Sequence, residues 1–261
     1  MNKIKAFSVR NFKEIIRDPL SYIFCLGFPI VMLIIMTLVN DSIPIDESLP
    51  EEAQMTIFRI DNLAGGIAVF GLTFLMLFVC LTVTKDRSGA FLTRLYATPM
   101  KSGDFIAGYV LPTALLAIIQ ILITFTVSFI VSLIVRIRIS PVGMLLAMLS
   151  LLPMIVLMIG FGLLFGTLFS EKAAPGLCSI IISLASFLGG VWFDAEATGG
   201  ILFDICKVLP FWHAVKAARM ACAMDFGGDF LTHLLITLAY AVVFIIIAII
   251  VFKQKMKADN Q

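Results

Sequence analysis

The sequence predicts an all-α integral membrane protein with six transmembrane helices, from its composition, its long runs without charge and its placement of basic residues. Of the 261 residues, 61% are hydrophobic and 14% are charged, whereas soluble domains have about 45–50% apolar and about 25% charged residues. A water-soluble fold with this composition would expose a large apolar surface and aggregate. The net charge of +2 gives no basic footprint for nucleic acid, so the lipid bilayer is the expected partner.

Six apolar stretches are long enough to cross a bilayer. Five contain no Asp, Glu, Lys or Arg, and the remaining stretch has only Asp194 and Glu196 near its end. A spanning helix needs about 20 apolar residues for a hydrocarbon core of about 30 Å. The runs are continuous rather than alternating, which favours helices over barrel strands. The predicted spans, within a single domain 1–261, are 19–40, 62–84, 105–135, 139–170, 173–196 and 230–252.

Residues 1–18, before the first span, are predicted to form an amphipathic helix at the membrane interface. On a helical wheel the apolar side chains share one side and the basic side chains share the other. The apolar side has Ile4, Phe7, Phe12 and Ile15, and the basic side has Lys3, Arg10, Lys13 and Arg17.

The distribution of basic residues predicts that both termini are cytoplasmic in a cell (plasma) membrane. This orientation places 13 of the 19 Lys and Arg residues inside, as the positive-inside rule requires. Trp192 and Trp212 then lie near the outer interface. Arg136 and Arg138 become external and count against the orientation.

Residues 197–228 are predicted to form an extracellular re-entrant or interfacial helical hairpin between spans five and six. Pro210 divides the segment into two pieces that are each too short to cross a bilayer. The alternative, a seventh span, is disfavoured by four charged residues. These are Asp204, Lys207, Lys216 and Arg219.

The cytoplasmic loop 85–104 is predicted to contain a short amphipathic helix that ends at Thr98-Pro99. Phe91, Leu92 and Leu95 share one face of this helix, and Arg94 lies beside them. The loop either docks into a groove of a soluble partner or is a solvated basic loop that fixes the topology.

This loop resembles that of the permeases of type-2 ABC exporters, in which an acidic-basic pair precedes Gly, a Leu-rich turn and Thr-Pro. Ala90, Phe91 and Leu92 depart from the family pattern, in which Thr, Leu and Glu are usual. The segments 17–34, 187–196 and 208–219 are also similar to family motifs, so the resemblance covers the whole chain. It implies that the residues coupling the permease to its ATPase subunit are Asp86, Arg87, Gly89, Phe91, Leu92, Arg94, Leu95, Thr98 and Pro99.

The resemblance implies a dimer of two six-span subunits, the second being another copy or a paralogue, that works with a separate ATP-binding cassette ATPase. ATP and Mg would be bound by that subunit, because this chain lacks the GxxxxGK[ST] phosphate loop. The expected activity is export of a hydrophobic or amphipathic substrate such as a drug, lipid or peptide. The alternatives are an ion-gradient-driven secondary transporter, which usually has an ionisable residue within a span, and a non-transporting membrane scaffold.

Two stripes of small polar residues recur at helical spacing within predicted spans. They either line a substrate path or make hydrogen bonds between packed helices, and packing is favoured. The stripes are Gln120, Thr124, Ser128 and Ser132 in the third span, and Ser179, Ser183 and Ser186 in the fifth.

The cysteines and histidines indicate neither a metal nor a catalytic site. Cys206 and Cys222, both predicted to be external, either form a disulfide that pins the hairpin or remain free thiols. His213 and His233 are interpreted as isolated residues with structural or interfacial roles.

Overall fold

The computed structural model of the chain describes residues 3–42, 57–89 and 100–258, and every regular element in these ranges is a helix. The predicted coupling residues Phe91, Leu92, Arg94, Leu95, Thr98 and Pro99 lie outside these ranges.

The described helices are named in chain order, with a π-helical turn, Ile23–Gly27, joining α2 to α3. They are α1 Lys3–Arg17, α2 Pro19–Tyr22, α3 Phe28–Ser42, α4 Ile60–Ser88, α5 Ser102–Ile134, α6 Pro141–Ser150, α7 Leu152–Leu168, α8 Ala174–Leu188, α9 Ala195–Thr198, α10 Gly200–Val208, α11 Pro210–Cys222 and α12 Gly228–Ala258.

Five helical segments in the described ranges are long and apolar enough to cross a membrane, one fewer than the six predicted spans. In the predicted span 173–196 the long helix, α8, has only 15 residues; it rises about 22 Å and is shorter than a bilayer core. It ends at a turn in which Gly190 has a φ of +65°, a conformation that favours glycine. The five segments are Ile23–Ser42, Ile60–Ser88, Ser102–Ile134, Pro141–Leu168 and Gly228–Met256.

The chain around α8 nevertheless runs beside α4 from one end of that helix toward the other. At the last turn of α4, Ser88 donates a hydrogen bond to Glu171 at 2.7 Å. Near the first turns of α4, a Cβ added to Gly66 would lie 3.4 Å from Val191. Segment 171–191 is therefore antiparallel to α4 and connects the two ends of the bundle.

Helix α4 is the central helix of the bundle. Its apolar stretch is 83% buried, compared with 17% for α12. Helix α7 approaches α4 closely because Gly162 and Gly166 have no side chains: a Cβ on Gly162 would lie 2.7 Å from the carbonyl oxygen of Met76. The GxxxG pair is thus a backbone packing contact.

Helices α9, α10 and α11, residues 195–222, form a cap over the end of the bundle where α4 and α6 begin. Gly65 of α4 faces Ala218, and a Cβ on Gly143 of α6 would overlap the carbonyl oxygen of Cys222. Helix α1 packs at the opposite end, against α5. The cap and the basic N-terminal helix are therefore at opposite ends of α4.

The structure does not pair Cys206 with Cys222: all five cysteines are free thiols. Cys206 belongs to a small cluster with Ala195 and Trp212, whereas Cys222 packs into the main core. The two thiols therefore occupy separate packed environments, which a disulfide between them would disrupt.

Candidate functional site at the end of helix α4

The last turn of α4 holds a buried carboxylate that three donor atoms from two other helices approach. Arg10 of α1 donates from Nη1 and Nη2 to the two oxygens of Asp86 at 2.6 and 2.7 Å. Tyr109 of α5 donates from its hydroxyl to Asp86 Oδ2 at 2.8 Å. Asp86 is only 2% exposed, and bidentate pairs of this kind are among the strongest polar contacts in proteins.

A second set of charges surrounds this pair on the exposed side of α1. Glu14 accepts a hydrogen bond from Lys85 at 2.9 Å and forms an ion pair with Arg10, with Oε2 and Nη2 2.9 Å apart. Burial lowers the pKa of Arg10, but its hydrogen bonds and Coulombic attraction to Asp86 outweigh that effect and leave the pKa raised. Arg10 is therefore held in its charged form between two carboxylates.

The apolar face of α1 fixes the helix against α5. Phe7 packs edge-to-face on Phe105 and Tyr109, with ring centroids 5.6 and 5.1 Å away. It lies directly over Gly108, where an added Cβ would overlap the Phe7 ring. Asn11, which the helical wheel did not single out, donates from Nδ2 to the Gly108 carbonyl at 2.9 Å.

The opposite side of the same turn of α4 is tied to the end of α7 and the start of the α8 segment. Arg87 donates to the carbonyl oxygens of Gly166, at 3.0 Å, and Thr167. Ser88 contacts Glu171 as described above. The four residues Lys85–Ser88 thus connect α1, α5, α7 and the segment that leads into α8, shortly before residues 90–99 in the sequence.

The structure places the predicted site residues in two different settings. Lys3, Lys13 and Arg17 are exposed on α1, as cations facing lipid headgroups would be. Asp86 and Arg87 are instead hydrogen-bonded within the chain and do not form a free contact surface. We call residues Lys85–Ser88, together with their partners on the other helices, the joint. Gly89 follows the helix, and its N–H bonds to the Lys85 carbonyl at 3.0 Å.

A cavity of about 750 Å³ opens between α1 and α4 beside this joint. Its floor includes Phe78 and Leu81 of α4, and its rim includes the exposed cations Lys13 and Arg17. The joint is therefore bordered by a groove with an apolar floor and a basic edge.

The two polar stripes have different environments. Gln120, Thr124 and Ser128 are buried in α5, where Gln120 donates to Thr124 at 3.2 Å and fills the space above Gly71 of α4. The fourth member, Ser132, is buried too and donates to the Phe129 carbonyl at 2.7 Å. The α5 stripe therefore packs inside the subunit.

The α8 stripe is divided between surface and interior. Ser179 and Ser183 are exposed, while Ser186 is buried. The exposed serines share the surface of α8 with Ile180 and Phe187, which are 57% and 54% exposed. This mixed face remains open in the single subunit.

The cap is fixed to the first turns of α4 by Arg219 of α11. Its guanidinium donates to the carbonyl oxygens of Asn62 at 2.9 Å and Gly190 at 3.0 Å. Arg219 lies 29 residues after Gly190, the second glycine of the Gly-Gly turn. It can reach the carbonyl oxygens of Asn62 and Gly190 because no bulky side chain is in its way: a Cβ on Gly66 would lie 3.3 Å from its guanidinium.

The cap also contains a contact that the sequence did not reveal. His213 of α11 and His233 of α12, interpreted above as isolated residues, have their Nδ1 atoms 2.7 Å apart. They are 20 residues apart in the chain, and no spacing rule joins them.

An all-helical bundle with membrane-crossing helices, an N-terminal basic helix and a polar joint at the end of α4 defines a multi-pass membrane protein. The family model for ABC-2 type transporters matches residues 2–222. The chain therefore belongs to the ABC-2 family, whose members are the permease components of ABC transporters and normally work with an ATP-binding subunit. A search of curated proteins gave no match.

Proposed function

We propose that this chain is the permease subunit of an ABC exporter, and that it moves a hydrophobic or amphipathic cargo out of the cell with energy from a separate ATPase subunit. The observation that carries the proposal is the joint at the end of α4. It connects α1, α5, α7 and the start of the α8 segment at the point where the chain enters the loop expected to dock the ATPase.

In this mechanism the ATPase pushes on residues 90–99 and the joint spreads the displacement. The loop lies between Ser88, which ends α4, and Ser102, which begins α5, so a force on the loop acts on both helices. The Arg10–Asp86 pair makes α1 move with α4. ATP binding drives the change only if the ATPase binds one permease conformation more tightly than the other.

The membrane topology proposed here has six crossings with both termini in the cytoplasm. Helix α8 makes the fifth crossing although it is short, because the cap over the far end of α4 shortens the distance that it must span. The cap 195–222 then lies on the outer side as a re-entrant hairpin. Lys3, Lys13 and Arg17 face the headgroups of the inner leaflet.

A second permease copy or a paralogue is proposed to cover the exposed face of α8. Ser179 and Ser183 lie there beside apolar side chains, which suits an interface that is partly packed and partly open to cargo. Gln120, Thr124 and Ser128, which are buried within the subunit, contribute packing rather than cargo contacts.

The proposal is tested with the chain and an ATP-binding cassette ATPase subunit that co-purifies with it, reconstituted together in liposomes. Phe91→Asp and Leu95→Asp place a charge on the apolar face that the sequence predicts for the docking segment. We expect both variants to insert normally but to lose cargo-stimulated ATP hydrolysis and transport. The matched controls Phe91→Tyr and Leu95→Met should keep both activities.

Normal transport by both aspartate variants would overturn the docking role of residues 90–99. Failure of the wild-type chain to co-purify with an ATP-binding subunit would overturn the assignment as a working permease.

A further inference from the structure

The two histidines of the chain form one buried pair between the cap and the last long helix. His213 and His233 are 4% and 8% exposed, and their Nδ1 atoms lie 2.7 Å apart. Trp212 packs edge-to-face on both rings, with centroids 5.0 Å away. The pair is thus shielded from bulk water and joins α11 to α12.

The contacts of the pair fix its tautomers. His213 Nε2 lies 2.8 Å from the carbonyl oxygen of Lys207, which can only accept, so His213 carries its proton on Nε2. Its Nδ1 is then a lone-pair acceptor, and His233 must donate from Nδ1–H. In the neutral pair the remaining acceptor is Nε2 of His233.

From this geometry we propose that the pair is a two-step proton-binding site: the first proton is accepted at His233 Nε2 with the hydrogen bond intact, and the second, at His213 Nδ1, breaks it. After the first step His233 still donates from Nδ1, now as a charged donor. After the second step both facing nitrogens carry protons and the two rings carry like charges. Helix α11 is then released from α12 at this contact.

Charged groups near the pair lie on the cap helices α9, α10 and α11 and on α12. Lys216 of α11 pairs with Glu196 of α9 at 2.7 Å, Lys207 pairs with Asp204 at 3.5 Å within α10, and Asp229 lies in the first turn of α12. Burial, the neighbouring His213 and the charge of Lys216 oppose protonation of His233, while Asp229 and Glu196 favour it.

Acidic pH favours the separation of α11 from α12 at the histidine pair. Burial lowers the pKa of His213, and the hydrogen bond to Lys207 opposes this effect only in part. A separated, hydrated His213 would titrate near its ordinary pKa of about 6.5, so the separated state binds more protons below that pH. The pair's contribution to stability is therefore complete above about pH 6.5 and declines as the pH falls.

A proton fits this site better than a metal ion. Two imidazole nitrogens bound to Zn²⁺ at about 2.0–2.1 Å each, at a tetrahedral angle, would be about 3.3 Å apart, and these two are closer. Among the described residues, no group of three His, Cys, Asp or Glu side chains is arranged to hold a metal.

The test uses ¹⁵N-histidine labelling of the full chain in lipid nanodiscs, purified through a tag without histidine. Because the chain has only two histidines, four ring nitrogens give the whole spectrum. At neutral pH we expect protonated Nε2 on His213, protonated Nδ1 on His233 and a coupling through the hydrogen bond between the two Nδ1 nuclei. On acidification His233 Nε2 should shift first, and the coupling should vanish when His213 Nδ1 protonates.

The variant His233→Asn supplies the matched control, since an amide N–H can replace the Nδ1 donor but cannot accept the first proton. It should show one titration step instead of two. The proposal is overturned if the neutral wild type shows no coupling, or if both rings titrate independently at one pH. The NMR measurement needs neither ATP nor a partner subunit. Its outcome is therefore independent of whether the proposed export function is correct.

Discussion

Asp86 is the acceptor around which the polar contacts at the end of α4 are arranged. A carboxylate at 2% exposure would be costly to bury alone, and the charge of Arg10 together with the Tyr109 hydroxyl offsets that cost. Arg10 and Lys13 are indistinguishable on a helical wheel, because both fall on the basic side of α1. Only the position of Asp86, 76 residues later in the chain, decides which cation turns inward, so the sequence alone could not identify this pair.

Replacing Arg10 with methionine should destabilise the protein, because it leaves Asp86 buried and without its cation. Breaking one side of a buried pair costs about 3–5 kcal/mol, and the low end applies because the Arg10 side chain is 34% exposed and water reaches it. The measurement is thermal unfolding in nanodiscs. Lys13→Met is the control, since Lys13 is exposed, and it should leave the melting temperature nearly unchanged.

The double variant Arg10→Met/Asp86→Asn distinguishes stability lost through the unpaired Asp86 charge from stability lost through the packing of the Arg10 side chain. Removing the orphaned carboxylate charge should recover part of the lost stability, while the amide oxygen introduced by Asp86→Asn can still accept from Tyr109. A double variant less stable than Arg10→Met would contradict the account given for this pair.

The docking of helix α1 on helix α5 depends on the absence of a side chain at Gly108. Helix α5 presents Gly108 under the Phe7 ring, and Asn11 completes the contact through the Gly108 carbonyl. Phe7 and Ile15, two residues of the apolar face that the amphipathic pattern predicted, are buried. It could not tell whether that face meets lipid or protein, because a wheel records polarity but not the partner.

Gly108→Ala should detach α1 although alanine is the better helix former by about 1 kcal/mol. The added Cβ would overlap Phe7, so the helices must separate. We expect faster proteolysis between α1 and α2 and weaker coupling of ATP hydrolysis to transport. Gly103→Ala in the same helix has nothing within 4 Å of its Cβ and should behave like wild type or be slightly more stable.

If Gly108→Ala and Gly103→Ala are equally resistant to proteolysis, the close packing of α1 on α5 is wrong.

Helix α8 ends at Leu188, earlier than the predicted span. Gly189 and Gly190 were a signal that the helix stops there, but the prediction extended the span to residue 196 because the following residues are also mostly apolar.

For the whole molecule, composition was enough to predict membrane-crossing helices but not their arrangement. The apolar windows of α4 and α5 have the same mean hydropathy of 2.5, yet 83% of one and 39% of the other are buried. Lipid tails and a packed interior are equally apolar, so hydropathy does not identify the central helix. Nor does it reveal the histidine pair, which depends on how α11 meets α12.

The orientation is tested by cysteine accessibility in intact cells. Lys101→Cys and Arg138→Cys place exposed thiols at opposite ends of α5, whereas the five native cysteines are buried. A membrane-impermeant maleimide should label Arg138→Cys from outside and Lys101→Cys only after permeabilisation. Labelling in the reverse order would place both termini outside and end the proposed coupling scheme.

Arginines grip α4 at both of its ends: Arg219 holds the first turns and Arg10 the last. The 29-residue helix is about 43 Å long, so it connects these two sets of contacts rigidly. Weakening the contacts at one end of α4 therefore changes how firmly the other end must be held. Natural variation that loosens the cap should therefore be offset by changes in the N-terminal helix, at the other end of α4.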